Sequence, residues 1–129
     1  MNAEETNRLE LQFEKRNGLL PVVVQHVNTR EILMVGYTNE EAYRQTLSKG
    51  KATFWSTSRQ QLWTKGETSG DYLQVENILV DCDQDALVYQ VQLLGDGVCH
   101  TYNSSNQHRT SCFYRQLHAN QEQLVNIDP

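Results

Sequence analysis

The sequence has no apolar run long enough to span a bilayer. Its start, Met1-Asn2-Ala3-Glu4-Glu5, lacks a basic region followed by an apolar core, so the expectation is a cytoplasmic protein with no secretory signal. There are only three cysteines, and an odd number argues against a disulfide framework. In a reducing compartment such cysteines are metal ligands, catalytic groups or inert core residues. The net charge of −5 argues against a general nucleic-acid binder. Acidic residues are missing altogether from Ala42 to Gly66, a tract that carries Arg44, Lys49, Lys51, Arg59 and Lys65. A local basic surface on an acidic protein suits a small anionic ligand, although a solvated basic face reads the same way. Repeats and linkers are absent too. The 129 residues suffice for a single domain with a real core.

What is present alternates between helical and extended patterns. Glu5 to Arg16 carries Leu9, Leu11 and Phe13 among charged residues and predicts a short amphipathic helix ended by Gly18. Val22 to Val27 is β-branched and predicts a strand, with His26 in a structural role. Asn28-Thr29-Arg30 fits a turn, and Ile32 to Tyr37 a strand covered on both faces. Thr38 and Glu41 fit a capping box for a helix to about Ser48, with Tyr43 and Leu47 on one face and Gly50 as the stop. Residues 52–57, 73–80 and 86–93 predict three more strands, the last two joined by a tight hairpin. The tail after Leu117 reads as frayed helix or coil. Together these predict an α+β fold with a largely antiparallel sheet.

The hairpin connection, Asp81-Cys82-Asp83-Gln84-Asp85, is chemically dense. If it is extended, the three carboxylates share one face and Cys82 takes the other. Hard oxygens suit Mg²⁺ and thiolate suits Zn²⁺, so one segment could reach two metals. An acidic β-turn beside a buried cysteine is the plainer reading. Cys99 and Cys112 bracket a polar loop and give three thiols in all. Three thiolates without a fourth protein ligand suit a catalytic zinc, but His100 and His108 in the same loop could close the site. The zinc signatures His-Glu-x-x-His and His-x-Glu with Pro-Cys-x-x-Cys are absent, which argues against a deaminase of that type. Trp63-Thr64-Lys65-Gly66-Glu67-Thr68-Ser69-Gly70 offers glycines, hydroxyls and a lysine as an anion cradle, though without the Walker order.

Taken in order, Gly36-Tyr37-Thr38-Asn39-Glu40-Glu41-Ala42, Ala52-Thr53-Phe54-Trp55-Ser56, Leu62 to Gly70, Val80 to Asp85, Cys99-His100-Thr101 and Ser111-Cys112-Phe113-Tyr114-Arg115 resemble the phosphoribosyl-AMP cyclohydrolase family of histidine biosynthesis. The resemblance covers about residues 19–115. It implies an intertwined homodimer that adds water across N1–C6 of the adenine ring of phosphoribosyl-AMP. It implies zinc on Cys82, Cys99 and Cys112, drawn from both subunits, and Mg²⁺ on Asp81, Asp83 and Asp85. Zinc lowers the pKa of bound water from about 15.7 to about 7, and the hydroxide would attack C6. His100, beside a zinc ligand, is the candidate proton shuttle, with an orienting role as its alternative. Arg59, Lys65, Thr68 and Ser69 are the candidates for the substrate's two phosphates. Trp55 and Trp63 are read as core residues before base-stacking ones.

Two features depart from the family pattern. Tyr102 and His108 bound an insertion between the second and third cysteines, and Thr57 stands where the family tends to have Arg. Two other readings follow. One is a repurposed paralogue hydrolysing another N-substituted purine or cyclic amidine. The other is a non-catalytic zinc-binding module closed by His100 or His108.

Overall fold

In the computed structural model, residues 5–129 are described; residues 1–4, read above for a signal, lie outside them. The chain runs β1 (Leu20–His26), β2 (Ile32–Thr38), α1 (Glu40–Lys49), β3 (Thr53–Ser56), β4 (Gln61–Thr64), β5 (Leu73–Val80), β6 (Leu87–Leu93), β7 (Arg115–Leu117) and β8 (Leu124–Asn126). The main sheet has the order β2-β1-β6-β5. β1 pairs antiparallel with β2 and β5 antiparallel with β6, while β1 and β6 run parallel. β3–β4 and β7–β8 form separate antiparallel hairpins. The predicted α+β class with a largely antiparallel sheet is what the chain adopts. No described helix is long and apolar enough to cross a membrane.

The core forms where period-two alternation turns one sheet face inward. Leu20, Val22 and Val24 of β1 and Leu87, Tyr89 and Val91 of β6 are all buried. Phe54 of β3 lies among them, its ring centroid 5.3 Å from Trp63 and 6.1 Å from Tyr89. Each such large apolar side chain stabilises the fold by roughly 1.5–3 kcal/mol relative to exposure. Trp63 thus packs at the core, as expected.

α1 begins one residue later than the capping-box reading placed it. Asn39 is the cap, its Oδ1 accepting the Ala42 N–H at 2.8 Å. Thr38 instead ends β2 buried, its hydroxyl donating to the Asn39 carbonyl. Gly50 closes the helix as predicted, with φ 74° and its N–H on the Thr46 carbonyl. Ala42 and Thr46 are fully buried, while Tyr43 and Leu47 line one groove as their spacing predicts, Tyr43 partly buried against the core. Leu47 is 57% exposed and borders a groove shared with Leu9, Leu11 and Phe13.

Three other expectations are corrected. On β2, Ile32, Val35 and Tyr37 are exposed rather than covered, while Leu33 and Met34 are buried. The tail is the β7–β8 hairpin instead of helix or coil. The predicted helix over residues 5–16 is reduced to a 3-10 turn, Glu14–Arg16. A segment that short is marginal as a helix on its own. Here the N–H groups of Glu10 and Gln12 donate to Gln84, so they are withdrawn from helical pairing. Asn17, with φ 57°, and Gly18, with φ 90°, then turn the chain into β1.

Candidate active site

The link between β5 and β6 is a curled turn, not an extended strand. Asp81 Oδ1 accepts the N–H groups of Asp85 at 2.8 Å and Ala86 at 3.1 Å, a local cap of the kind aspartate favours. Gln84 takes φ 61° and its N–H returns to the Asp81 carbonyl. The curl brings one oxygen each of Asp81, Asp83 and Asp85 within 4.8 Å of one another. The three carboxylates therefore converge as expected, but by turn geometry instead of strand alternation. Cys82 is exposed at this turn, so the plainer expectation of a buried cysteine here does not hold.

The charges of this cluster are unevenly held. Hydrogen bonds from Lys15, then from Asp83, outweigh burial and, with Arg16, hold the Asp85 carboxyl far below the usual carboxylate range. Burial pushes Asp81 up, helped by the carboxyl of Asp85, against the backbone N–H groups it accepts. Three oxygen donors from one turn are a donor set suited to a hard divalent cation.

The second chemical centre lies beyond the other end of β6. The Cys99 N–H donates to the Arg109 carbonyl and the Val98 N–H to the Thr110 carbonyl, which lays residues 98–99 beside 109–110. A side chain at Gly97 would meet the Arg109 carbonyl oxygen at 2.8 Å, so this approach requires glycine. The Cys112 N–H donates to the Leu33 carbonyl at 2.8 Å, and the Ser111 hydroxyl to the Ile32 carbonyl at 2.7 Å. The strand β2 thereby fixes Cys112 in the neighbourhood of Cys99, close enough for each thiol to act on the other's proton affinity.

The two thiols are not equivalent. Burial raises Cys99, but Thr101, through its hydroxyl and its N–H, together with Cys112 and the charge of Arg109, brings the net value below the ordinary thiol. The Thr101 Oγ1 lies 2.9 Å from the Cys99 sulfur and accepts from Arg109 Nη1 at 3.1 Å. Packing around the Cys112 sulfur, then the charge and contact of Cys99, push it up to about 11, with Lys65 acting in the opposite sense. Cys99 therefore gives up its proton more readily than Cys112, and a metal that binds both must displace the proton held on Cys112.

Cys82 does not join this pair within one chain. It precedes β6 and Cys99 follows it, and seven strand residues extend roughly 23 Å. Among the described residues, no third His, Cys, Asp or Glu ligand atom completes a cluster with both sulfurs. His100, next to Cys99, is exposed. His108 is tied elsewhere, its Nδ1 3.0 Å from the Cys99 carbonyl and its ring 4.3 Å from that of Tyr102. The insertion bounded by those two residues closes on itself as a turn, with Asn103 Oδ1 accepting from Ser105 and Gln107.

The Gly-rich loop follows β4, Gln61–Thr64, a strand not among those predicted from the sequence. The Gly70 N–H bonds to the Gly66 carbonyl at 2.7 Å, and Thr68 and Ser69 stand exposed between them. Gly66 has φ 93°, and a side chain there would strike the Asp71 and Tyr72 backbone at 2.4–2.6 Å. Lys65 is half-buried and near enough to Cys112 to act on its thiol. Loop and thiols therefore share one region. Arg59 does not: it is exposed in the β3–β4 turn, at the far end of the hairpin from Lys65.

This chain matches the family model described as phosphoribosyl-AMP cyclohydrolase over residues 34–114. The chain belongs to the phosphoribosyl-AMP cyclohydrolase family. It is 51% identical to the phosphoribosyl-AMP cyclohydrolase of Archaeoglobus fulgidus, over 84% of this chain and 94% of that protein. It is 44% identical to that of Desulfatibacillum aliphaticivorans, over 91% of this chain and 89% of that protein. It also resembles the histidine biosynthesis bifunctional protein HisIE of Haemophilus influenzae, at 48% identity over 80% of this chain and 46% of that longer protein. The family span includes every cysteine, the acidic turn and the Gly-rich loop, but begins after Lys15, Arg16 and the segment around them. Those two residues, with Gln84, Thr101 and Arg109, are site neighbours that the sequence reading missed. Of these, Gln84, inside the acidic run, and Thr101, two residues from Cys99, carried a local signal.

Proposed function

We propose that this cyclohydrolase, a hydrolase of the histidine pathway, opens the adenine ring of 1-(5-phosphoribosyl)-AMP at the N1–C6 bond and works as a cytoplasmic homodimer. The Cys99 and Cys112 thiols, brought into one neighbourhood near Lys65 by the backbone bonds that fix residues 98–99 and Cys112, are the observation that carries this reading. Cys82, exposed and remote from them in its own chain, would complete the thiol set from a second copy. Zinc held there would supply a hydroxide at neutral pH by lowering the pKa of a water molecule.

The chain's own groups then divide the remaining work. His100 is exposed beside Cys99 and is suited to deliver a proton to N1 as the N1–C6 bond breaks, leaving the carboxamide at C6. Lys65, Thr68 and Ser69 present an ammonium, hydroxyls and loop N–H groups to one phosphate. Arg59, at the other end of its hairpin, would meet the second phosphate, which is attached to a different ribose. Asp81, Asp83 and Asp85 would hold Mg²⁺.

The test is turnover of phosphoribosyl-AMP with zinc determined on the same sample. Cys99→Ser should lose at least about a hundredfold in rate, the scale of a disturbed metal centre, while keeping the wild-type melting temperature. Normal zinc content without turnover of phosphoribosyl-AMP would refute the substrate assignment. Unfolding on zinc removal in a protein without activity would indicate a zinc-binding module.

A further inference from the structure

The N-terminal segment lies across the acidic turn. Gln84, 7% exposed, uses both ends of its amide on that segment. Its Oε1 accepts the Glu10 N–H at 2.7 Å and its Nε2 donates to the Arg8 carbonyl at 3.0 Å. Its own carbonyl accepts the Gln12 N–H at 2.8 Å. These three bonds fix a strap whose next turn, Glu14–Arg16, delivers two cations. Lys15 Nζ stands 3.1 Å from Asp83 Oδ2 and 3.0 Å from Asp85 Oδ2. Arg16 Nη2 stands 2.8 Å from that same Asp85 oxygen.

We infer that Lys15 is a built-in counter-cation that competes with a divalent cation for Asp83 and Asp85. The inference rests on the reading that these carboxylates take such a cation. A divalent metal binds carboxylate oxygens at about 2.0–2.6 Å, and an ammonium held at the same two oxygens opposes it by like-charge repulsion. Lys15 is half-exposed on a flexible stem, so its head can swing into water when the metal arrives. Arg16 contacts only Asp85, and the strap remains anchored by Gln84. The carboxylates are thereby neutralised when metal is scarce, and the metal must displace a charge to bind.

Mn²⁺ titration, with free Mn²⁺ read by electron paramagnetic resonance, tests this without reference to turnover. Lys15→Gln should bind Mn²⁺ about fivefold to tenfold more tightly than wild type at low ionic strength, with the gain shrinking as salt is added. Lys15→Arg should bind as wild type does. Equal or weaker binding by Lys15→Gln, with Asp83→Asn still clearly weakened, would overturn the inference and leave the metal reading intact. If Asp83→Asn binds as tightly as wild type, the metal reading fails and takes the inference with it.

Discussion

Asp85 is the residue whose surroundings do most to set its charge. Its side chain is 5% exposed, with Lys15 and Arg16 on one oxygen. Its folded pKa lies below the unfolded value of about 4, so its contribution to stability is present above that value and lost as pH falls through the lowered one. Asp81, raised by burial, has the opposite sign: its contribution is present at low pH and lost as pH rises through its folded value. In metal-free protein the melting temperature should therefore drop more steeply below about pH 4 in wild type than in Asp85→Asn. Parallel melting profiles for the two proteins over that range would show that Asp85 is not held ionised by its cations.

At the scale of elements, local chemistry decides where segments begin and what they face. The Asn39 side chain satisfies a helix N–H that no backbone carbonyl reaches. Asn39→Ala should destabilise the fold by about 1 kcal/mol in urea unfolding, and an unchanged midpoint would remove Asn39 as the cap. The strands β1, β2, β3, β5 and β6 were legible because β-branched and aromatic residues and turn signals mark them in the sequence. The helix stop at Gly50 was legible for the same kind of reason, a local one. The cap was misplaced because Thr38 and Asn39 are both good caps, and only the buried end of β2 decides between them. The segment over residues 5–16 was misread because its partner, Gln84, is more than 70 residues away. The acidic turn gave the right cluster for the wrong reason: Asp81 caps the turn, which no alternation rule anticipates. The family resemblance rested on contiguous runs, so it found the cysteines and missed Lys15 and Arg16, which reach the site only through the fold.

The whole molecule carries its chemistry at two places that one chain does not unite. The acidic turn and Cys82 precede β6, and the thiol pair follows it. Both edge strands of the main sheet also expose apolar side chains, Val35 and Tyr37 on β2 and Leu79 and Val80 on β5. A second copy would cover apolar surface of this kind and could bring Cys82 to the pair. The direct measurement is subunit mixing. Cys82→Ser and Cys99→Ser are prepared separately, then unfolded and refolded together with zinc. Each variant alone should be inactive. Together they should regain about one quarter of the wild-type activity, because about half of the dimers are mixed and each mixed dimer holds one intact thiol set. A mixture as inactive as either variant alone would contradict a site shared between two copies.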